Sequence, residues 1–130
     1  MALNPHLDDA GANAAANAVV ALVNSGYIDI MSGTQPAANG AATTVLVSLT
    51  FGATAFGAAA SGVCTANAIG SGTIGSTGTA SWYRAYKSDH TTAVFDGSVG
   101  TATSNIVLNS VALQSGATCS VTSLTFTISE

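Results

Sequence analysis

Few side chains in this 130-residue chain can do chemistry, and their spacing limits what that chemistry could be. Gly70-Ser71-Gly72-Thr73-Ile74-Gly75 spells G-x-G-x-x-G, the pattern that seats a dinucleotide pyrophosphate between a strand and a helix. The next residues, Ser76-Thr77-Gly78-Thr79, cannot open a helix, so the segment is expected to be a flexible link between strands. Asp89-His90, in a serine-rich chain, offers the residue types of a Ser-His-Asp relay. Such a relay needs a base oriented by a carboxylate with a nucleophile in reach, and adjacent residues at a hairpin tip point different ways. The two read as a turn pair. His6 beside Asp8 and Asp9 holds cation-binding types, but reads as a solvated helix N-terminus. Cys64 and Cys119 lie far apart, with no C-x-x-C and no His at ligand spacing, and are expected as free, buried thiols. No catalytic set, cofactor site or metal site is expected.

The aromatic residues concentrate in one strand. Trp82, Arg84 and Tyr86 share one parity there and Tyr83 and Ala85 the other, so one face is expected in the core and the other exposed or in an interface. An exposed Tyr/Arg face can be a binding hot spot, or a platform for a sugar ring. Arg84 and Asp96 are expected to pair across the hairpin that this strand forms with the next.

The elements that position these groups begin with a helix over residues 1–25. Asn4 is its expected cap, Pro5 its first residue and Gly26 its stop. Leu7, Ala10, Gly11, Ala14, Ala18, Ala21 and Leu22 fall at helical spacing, and this mostly small face admits close approach to a partner. Residues 26–130 read as β. Ile28 and Ile30 alternate with Tyr27, Asp29 and Met31, and Val45, Val47, Leu49 and Phe51 alternate with polar residues. Residues 32–42 read as a loop, and residues 52–62 as a loop that tucks Phe56 into the core. Strand 79–87 joins strand 92–99 through Ser88-Asp89-His90-Thr91, whose Asp-His pair can take a positive-φ turn. Ile106 and Leu108 mark a further strand. The last strand changes phase between Cys119/Val121 and Leu124/Phe126/Ile128, which predicts a bulge near Thr122-Ser123. The expected architecture is a single domain over 1–130: a mainly β, antiparallel, jelly-roll-like β-sandwich with one N-terminal α-helix.

Composition narrows the function classes. Ala, Gly, Ser and Thr make up more than half of the chain, and charged residues only 6%. With one Lys, one Arg and a net charge of −4, the chain cannot neutralise a phosphate backbone, nor act as a polybasic membrane binder. Two His, five Asp and one Glu leave little for acid–base catalysis. Neither a secretory signal nor a membrane-spanning stretch is expected. A structural or binding module remains.

Several segments carry a resemblance. Ser32-Gly33-Thr34-Gln35-Pro36-Ala37, Ala42-Thr43-Thr44-Val45-Leu46, Ser88-Asp89-His90-Thr91-Thr92, Phe95-Asp96-Gly97-Ser98-Val99-Gly100-Thr101 and Val121-Thr122-Ser123-Leu124-Thr125-Phe126-Thr127 resemble a family of small tailed-bacteriophage virion proteins. The resemblance runs from Leu7 to Glu130, and departs at His90, where the family pattern usually has Gly. Such proteins are similar to capsid decoration, or cement, proteins, small β-domains set on the outer shell. The resemblance implies a virion location on the outer capsid surface after synthesis in the host cytoplasm. It also implies the major capsid protein as partner, together with further copies of the chain, expected as a trimer. It implies no catalytic residues. A tail, neck or baseplate component and a virion-surface glycan-binding module are the alternatives. The expected assembly residues are Ala10, Gly11, Ala14, Ala18, Tyr83 and Tyr86, with Arg84 and Asp96 as a structural ion pair.

Overall fold

The computed structural model describes residues 6–128. Helix α1 spans Asp9–Ala21. Its start is held by backbone alone: Asp8 takes the N-cap position in extended conformation without a side-chain cap bond, and Asp9 supplies the acidic first turn. The expected cap Asn4 and first-turn Pro5 lie outside the described residues. The helix ends four residues before the expected Ser25, because residues 22–25 form turns and Ser25 takes the left-handed conformation at φ 56°. Among the described residues no helix is long and apolar enough to cross a membrane.

Twelve strands follow: β1 Tyr27–Ser32, β2 Thr44–Phe51, β3 Val63–Thr65, β4 Ile69–Gly70, β5 Gly72–Thr73, β6 Gly78–Thr79, β7 Trp82–Tyr86, β8 Ala93–Gly100, β9 Ile106–Val107, β10 Ala112–Leu113, β11 Thr118–Cys119 and β12 Ser123–Thr127. Eight of them make one curled sheet in the order β3-β12-β9-β8-β7-β1-β2-β4. Two small ladders, β10-β6 and β11-β5, tie residues 72–79 to residues 112–119. The protein is mainly β with one helix, as expected, but the sheet is mixed. The purely antiparallel expectation fails at β8 and β9, which pair in parallel at Val99↔Ile106 and Gly100↔Val107. Ser98 and Asn105 make this tight connection possible: Asn105 Oδ1 accepts from the Ser98 N–H at 3.1 Å while the Ser98 hydroxyl accepts from the Asn105 N–H at 3.2 Å.

The core is one cluster in which α1 packs on β3 and β12 and the two small ladders pack on β1 and β2. Ala16, Val20 and Val23 pack with Ile28, Ile30, Leu49, Phe51 and Tyr83, and Phe56 enters the core as expected. Asn13 and Asn17 flank the inward stripe. Their carboxamide oxygens accept the N–H of Gly62 at 2.8 Å and of Ala59 at 2.9 Å, so the helix is tied to the 52–62 loop by polar bonds as well as by packing. The phase change near residue 122 is not a bulge. It separates β11, which pairs with β5, from β12, which pairs with β3 and β9. Cys64 and Cys119 are free and buried, and burial pushes both thiols above their ordinary range.

Candidate assembly surface

The G-x-G-x-x-G segment runs through β4 and β5 with no helix after it. At Gly72 a Cβ would stand 2.7 Å from the Ser48 carbonyl oxygen, so this glycine serves strand packing.

Strand β7 departs from the one-face expectation, because residues 82–85 are all buried. Tyr83 and Ala85 face the core; Trp82 and Arg84 lie beneath the 33–43 loop, which folds back over the outer face of the sheet. The Trp82 indole N–H donates to the Thr43 hydroxyl at 2.9 Å, and Arg84 Nη2 donates to the Gly40 carbonyl at 2.8 Å. The Arg84 guanidinium lies 5.2 Å from the Trp82 ring centroid. Tyr83, expected in an assembly interface, is 1% exposed and presents no surface to a partner. Burial pushes its phenol well above the ordinary range, and the nearby Asp96 charge adds to the rise. Tyr86 is half-buried at the sheet margin.

Arg84 and Asp96 stand directly opposite each other in the β7/β8 register. Nε reaches Oδ1 at 2.7 Å and Nη2 reaches Oδ2 at 3.0 Å, a bidentate pair that holds the guanidinium even more firmly protonated. A shallow groove of about 570 Å³ lies above it, between Pro36, Asn39 and Gly40 on one side and Val94 on the other.

Sequence reasoning missed a second polar cluster. Asp29, buried on β1, accepts the Ser48 hydroxyl at 2.6 Å and contacts His90 Nε2 at 2.8 Å, all through Oδ1. The His90 ring stacks on Tyr27 at 4.2 Å and meets Tyr86 edge-on at 5.3 Å. The residue types match a nucleophile–base relay, but the connectivity does not: Ser48 and His90 each bond to the carboxylate and not to each other. The cluster pins the hairpin tip to β1. Its signal in the sequence is a histidine at a turn position, since His90 holds φ 54°, a conformation that glycine adopts freely. Among the described residues no group of three or more His, Cys, Asp or Glu could hold a metal ion. His6 and Asp8 lie 3.9 Å apart and are both highly exposed.

At the tip, Asp89 accepts the N–H groups of Thr91 at 2.8 Å and Thr92 at 2.9 Å, and the Thr92 hydroxyl at 2.7 Å. These bonds, the Thr92 hydroxyl foremost, bring its carboxyl down to about 2. A carboxylate depressed by folding stabilises the folded state above its unfolded pKa, and that stabilisation is lost as pH falls through the folded value. The turn is therefore expected to keep its bonds at pH 3 and lose them near pH 2. Carboxyl carbon and Thr92 amide shifts followed by NMR would show this; a midpoint at or above 3.5 would contradict it.

Helix α1 has the remaining candidate surface. Its inward stripe is Ala12, Ala16, Val20 and Val23, whereas Ala10, Gly11, Ala14 and Ala18 lie on the exposed side. The exposed stripe ends in a large apolar residue on each side, Leu7 at 40% exposure and Leu22 at 47%. Small side chains let another surface approach closely, and the two leucines supply apolar area that the subunit leaves in water. Comparison of the chain with protein-family models, with curated proteins and with solved structures finds no match to any of them.

Proposed function

We propose that the chain is a virion structural protein, a capsid decoration protein that binds the outer shell and stabilises it. The observation that supports this reading is the uncharged, leucine-ended small-residue stripe on the outside of α1, which the subunit's own sheet does not cover. A cement protein stabilises a lattice by binding the assembled state in preference to the free one. Surfaces of Ala, Gly, Ser and Thr suit the task, since burying them strips few charges of water and orders few rotatable side chains. The proposed partners are the major capsid protein and further copies of the chain, as a trimer, on the outer capsid surface. In this reading the curled sheet and the two small ladders close as a jelly-roll-like sandwich. The segment resemblance supplies the class, with a tail, neck or baseplate position as the alternative. The glycan-platform alternative draws no support from Trp82, which is 1% exposed beneath the 33–43 loop.

The test is binding to purified, decoration-free shells, read as occupancy and as the temperature at which the shells open. Saturable binding with a copy number near that of the shell subunit, and a raised opening temperature, is expected. Absence of binding would sink the reading. Ala14→Leu, on the exposed side of α1, is expected to leave the unfolding transition within about 0.5 kcal/mol of the parent, as surface changes do. It should lower occupancy by overpacking the contact. Normal occupancy of this variant would take the helix out of the interface.

A further inference from the structure

A tight turn in the loop that covers the outer face of the sheet joins two residues able to react with each other. The Gly40 N–H donates to the Ala37 carbonyl at 2.8 Å, and Asn39, inside that turn, holds φ 64°. Glycine and asparagine are the residues that take this conformation most readily. Gly40 is needed for a different reason: a Cβ there would run into the Pro36 ring and stand 2.8 Å from the Ala37 carbonyl oxygen. Turn geometry favours the asparagine and packing requires the glycine. The result is the one Asn-Gly pair in the chain.

Such a pair can close on itself. The Gly40 nitrogen attacks Cγ of Asn39, the new N–Cγ bond completes a five-membered imide, and Nδ2 leaves as ammonia with the proton from the Gly40 nitrogen. Water then opens the ring at either carbonyl, leaving aspartate, or isoaspartate with the backbone routed through the side chain. Glycine favours the attack because no Cβ crowds its nitrogen. The other described asparagines are less suited to it. The carboxamide oxygens of Asn13, Asn17, Asn24 and Asn105 accept backbone N–H groups, and Asn67 Nδ2 donates to the Thr54 carbonyl. Asn109 is exposed, but Ser110 follows it and carries a Cβ. Asn39 is exposed, and its carboxamide has no hydrogen-bond partner among the described residues.

We infer that Asn39-Gly40 is a site of spontaneous covalent modification, restrained in the folded protein by the two bonds that fix Gly40. Its N–H is committed to Ala37, and its carbonyl accepts from Arg84 Nη2 at 2.8 Å. Arg84 is itself held by its two bonds to Asp96. Attack requires the Gly40 nitrogen to give up its proton and turn toward the Asn39 carboxamide. The reaction therefore proceeds from the opened turn, at a rate lowered by the fraction of time the turn spends open. The products do not restore the turn. Isoaspartate adds a carbon to the backbone between Ala38 and Gly40, and either product puts a negative charge on the groove wall that Asp96 also lines. The 33–43 loop then loosens its cover over Trp82, whose indole it holds through Thr43. This inference goes beyond the decoration reading and does not depend on it.

The experiment is incubation of the full chain in mildly alkaline buffer, folded and unfolded in guanidinium, followed by peptide mass mapping and by the fluorescence of Trp82, the one tryptophan present. Asn39 is expected to gain about 1 Da, amide becoming acid, before any other asparagine does. It should do so at least about tenfold more slowly in the folded chain than in guanidinium. In the protein with Arg84→Met and Asp96→Leu together, where Gly40 has lost its donor, the folded rate should rise about threefold or more. The isoaspartate fraction of the parent should show red-shifted Trp82 emission. Asn39→Gly, which keeps the positive φ and carries no carboxamide, should age without that shift. Modification first at another asparagine, or none at Asn39 even in guanidinium, would overturn the site. Equal rates in the folded and unfolded chain, or a folded double variant that reacts no faster than the parent, would overturn the restraint. Emission unmoved in the isoaspartate fraction would overturn the loosening of the loop. The comparison of folded with unfolded parent decides the restraint even where the double variant fails to fold.

Discussion

Arg84→Ala is expected to lower the unfolding free energy by about 3–5 kcal/mol, the usual loss when one partner of a buried ion pair is removed. The size comes from what the substitution leaves behind. Asp96, 15% exposed at its side chain, would keep its charge without the bidentate guanidinium that now faces it. The Gly40 carbonyl would lose its donor, and the 33–43 loop one of the bonds that hold it over Trp82. Replacing both partners tests the interpretation, because Arg84→Met with Asp96→Leu removes the stranded charge and is expected to cost far less than Arg84→Ala alone. Urea unfolding of the two single alanine variants and their double should show a coupling of at least about 1.5 kcal/mol. Coupling below about 0.5 kcal/mol would mean that the pair is held by its surroundings and contributes little itself.

That pair is legible in the sequence because a hairpin has local rules. The turn residues at 88–91 determine which strands meet, and one extra residue on β8, Val94 between the Tyr86 and Ala85 pairs, brings Arg84 level with Asp96. Where local rules end, the sequence misleads. Helix α1 carries alanine on nearly every side, so the small stripe through Ala14 and the buried stripe through Ala12 and Ala16 differ only in Val20 and Val23. A pattern so weak tells that a helix forms and not which side it buries. The parallel β8/β9 pair is hidden for a different reason. Short connections normally join antiparallel strands, and nothing local announces that Asn105 will clasp Ser98. The burial of both faces of β7 is hidden because strand parity is blind to a loop that returns over the outer face to cover Trp82 and Arg84.

Gly26→Ala is expected to be among the most damaging single changes in the chain, costing about 3 kcal/mol or more, at the upper end of what overpacking does. The reason is close approach, not backbone conformation. A Cβ on Gly26 would stand 2.1 Å from the Tyr86 carbonyl oxygen and 2.8 Å from that of Val23. Both obstacles are backbone, so no side-chain rotation relieves them. Their positions are fixed by the junction itself: Gly26 donates to Val23 at 2.8 Å, its carbonyl accepts from Phe51 at 2.9 Å, and Tyr86 is held in register with Tyr27. The left-handed turn that a helix-ending glycine would supply falls one residue earlier, on Ser25. Two other glycines separate the causes. Gly116 holds φ 91° with nothing within 4 Å of a Cβ, so Gly116→Ala should cost only the conformational strain, about 1 kcal/mol. Gly11 sits on the exposed side of α1, where a Cβ would meet only the Leu7 side chain at 3.3 Å. Gly11→Ala should therefore stabilise the protein by up to about 1 kcal/mol through helix propensity. Thermal and urea unfolding of the three variants should rank them Gly11→Ala, Gly116→Ala, Gly26→Ala from most to least stable. A Gly26→Ala protein as stable as Gly116→Ala would show that the α1–β1 junction yields, and that the packing of β1 against β7 does not depend on it.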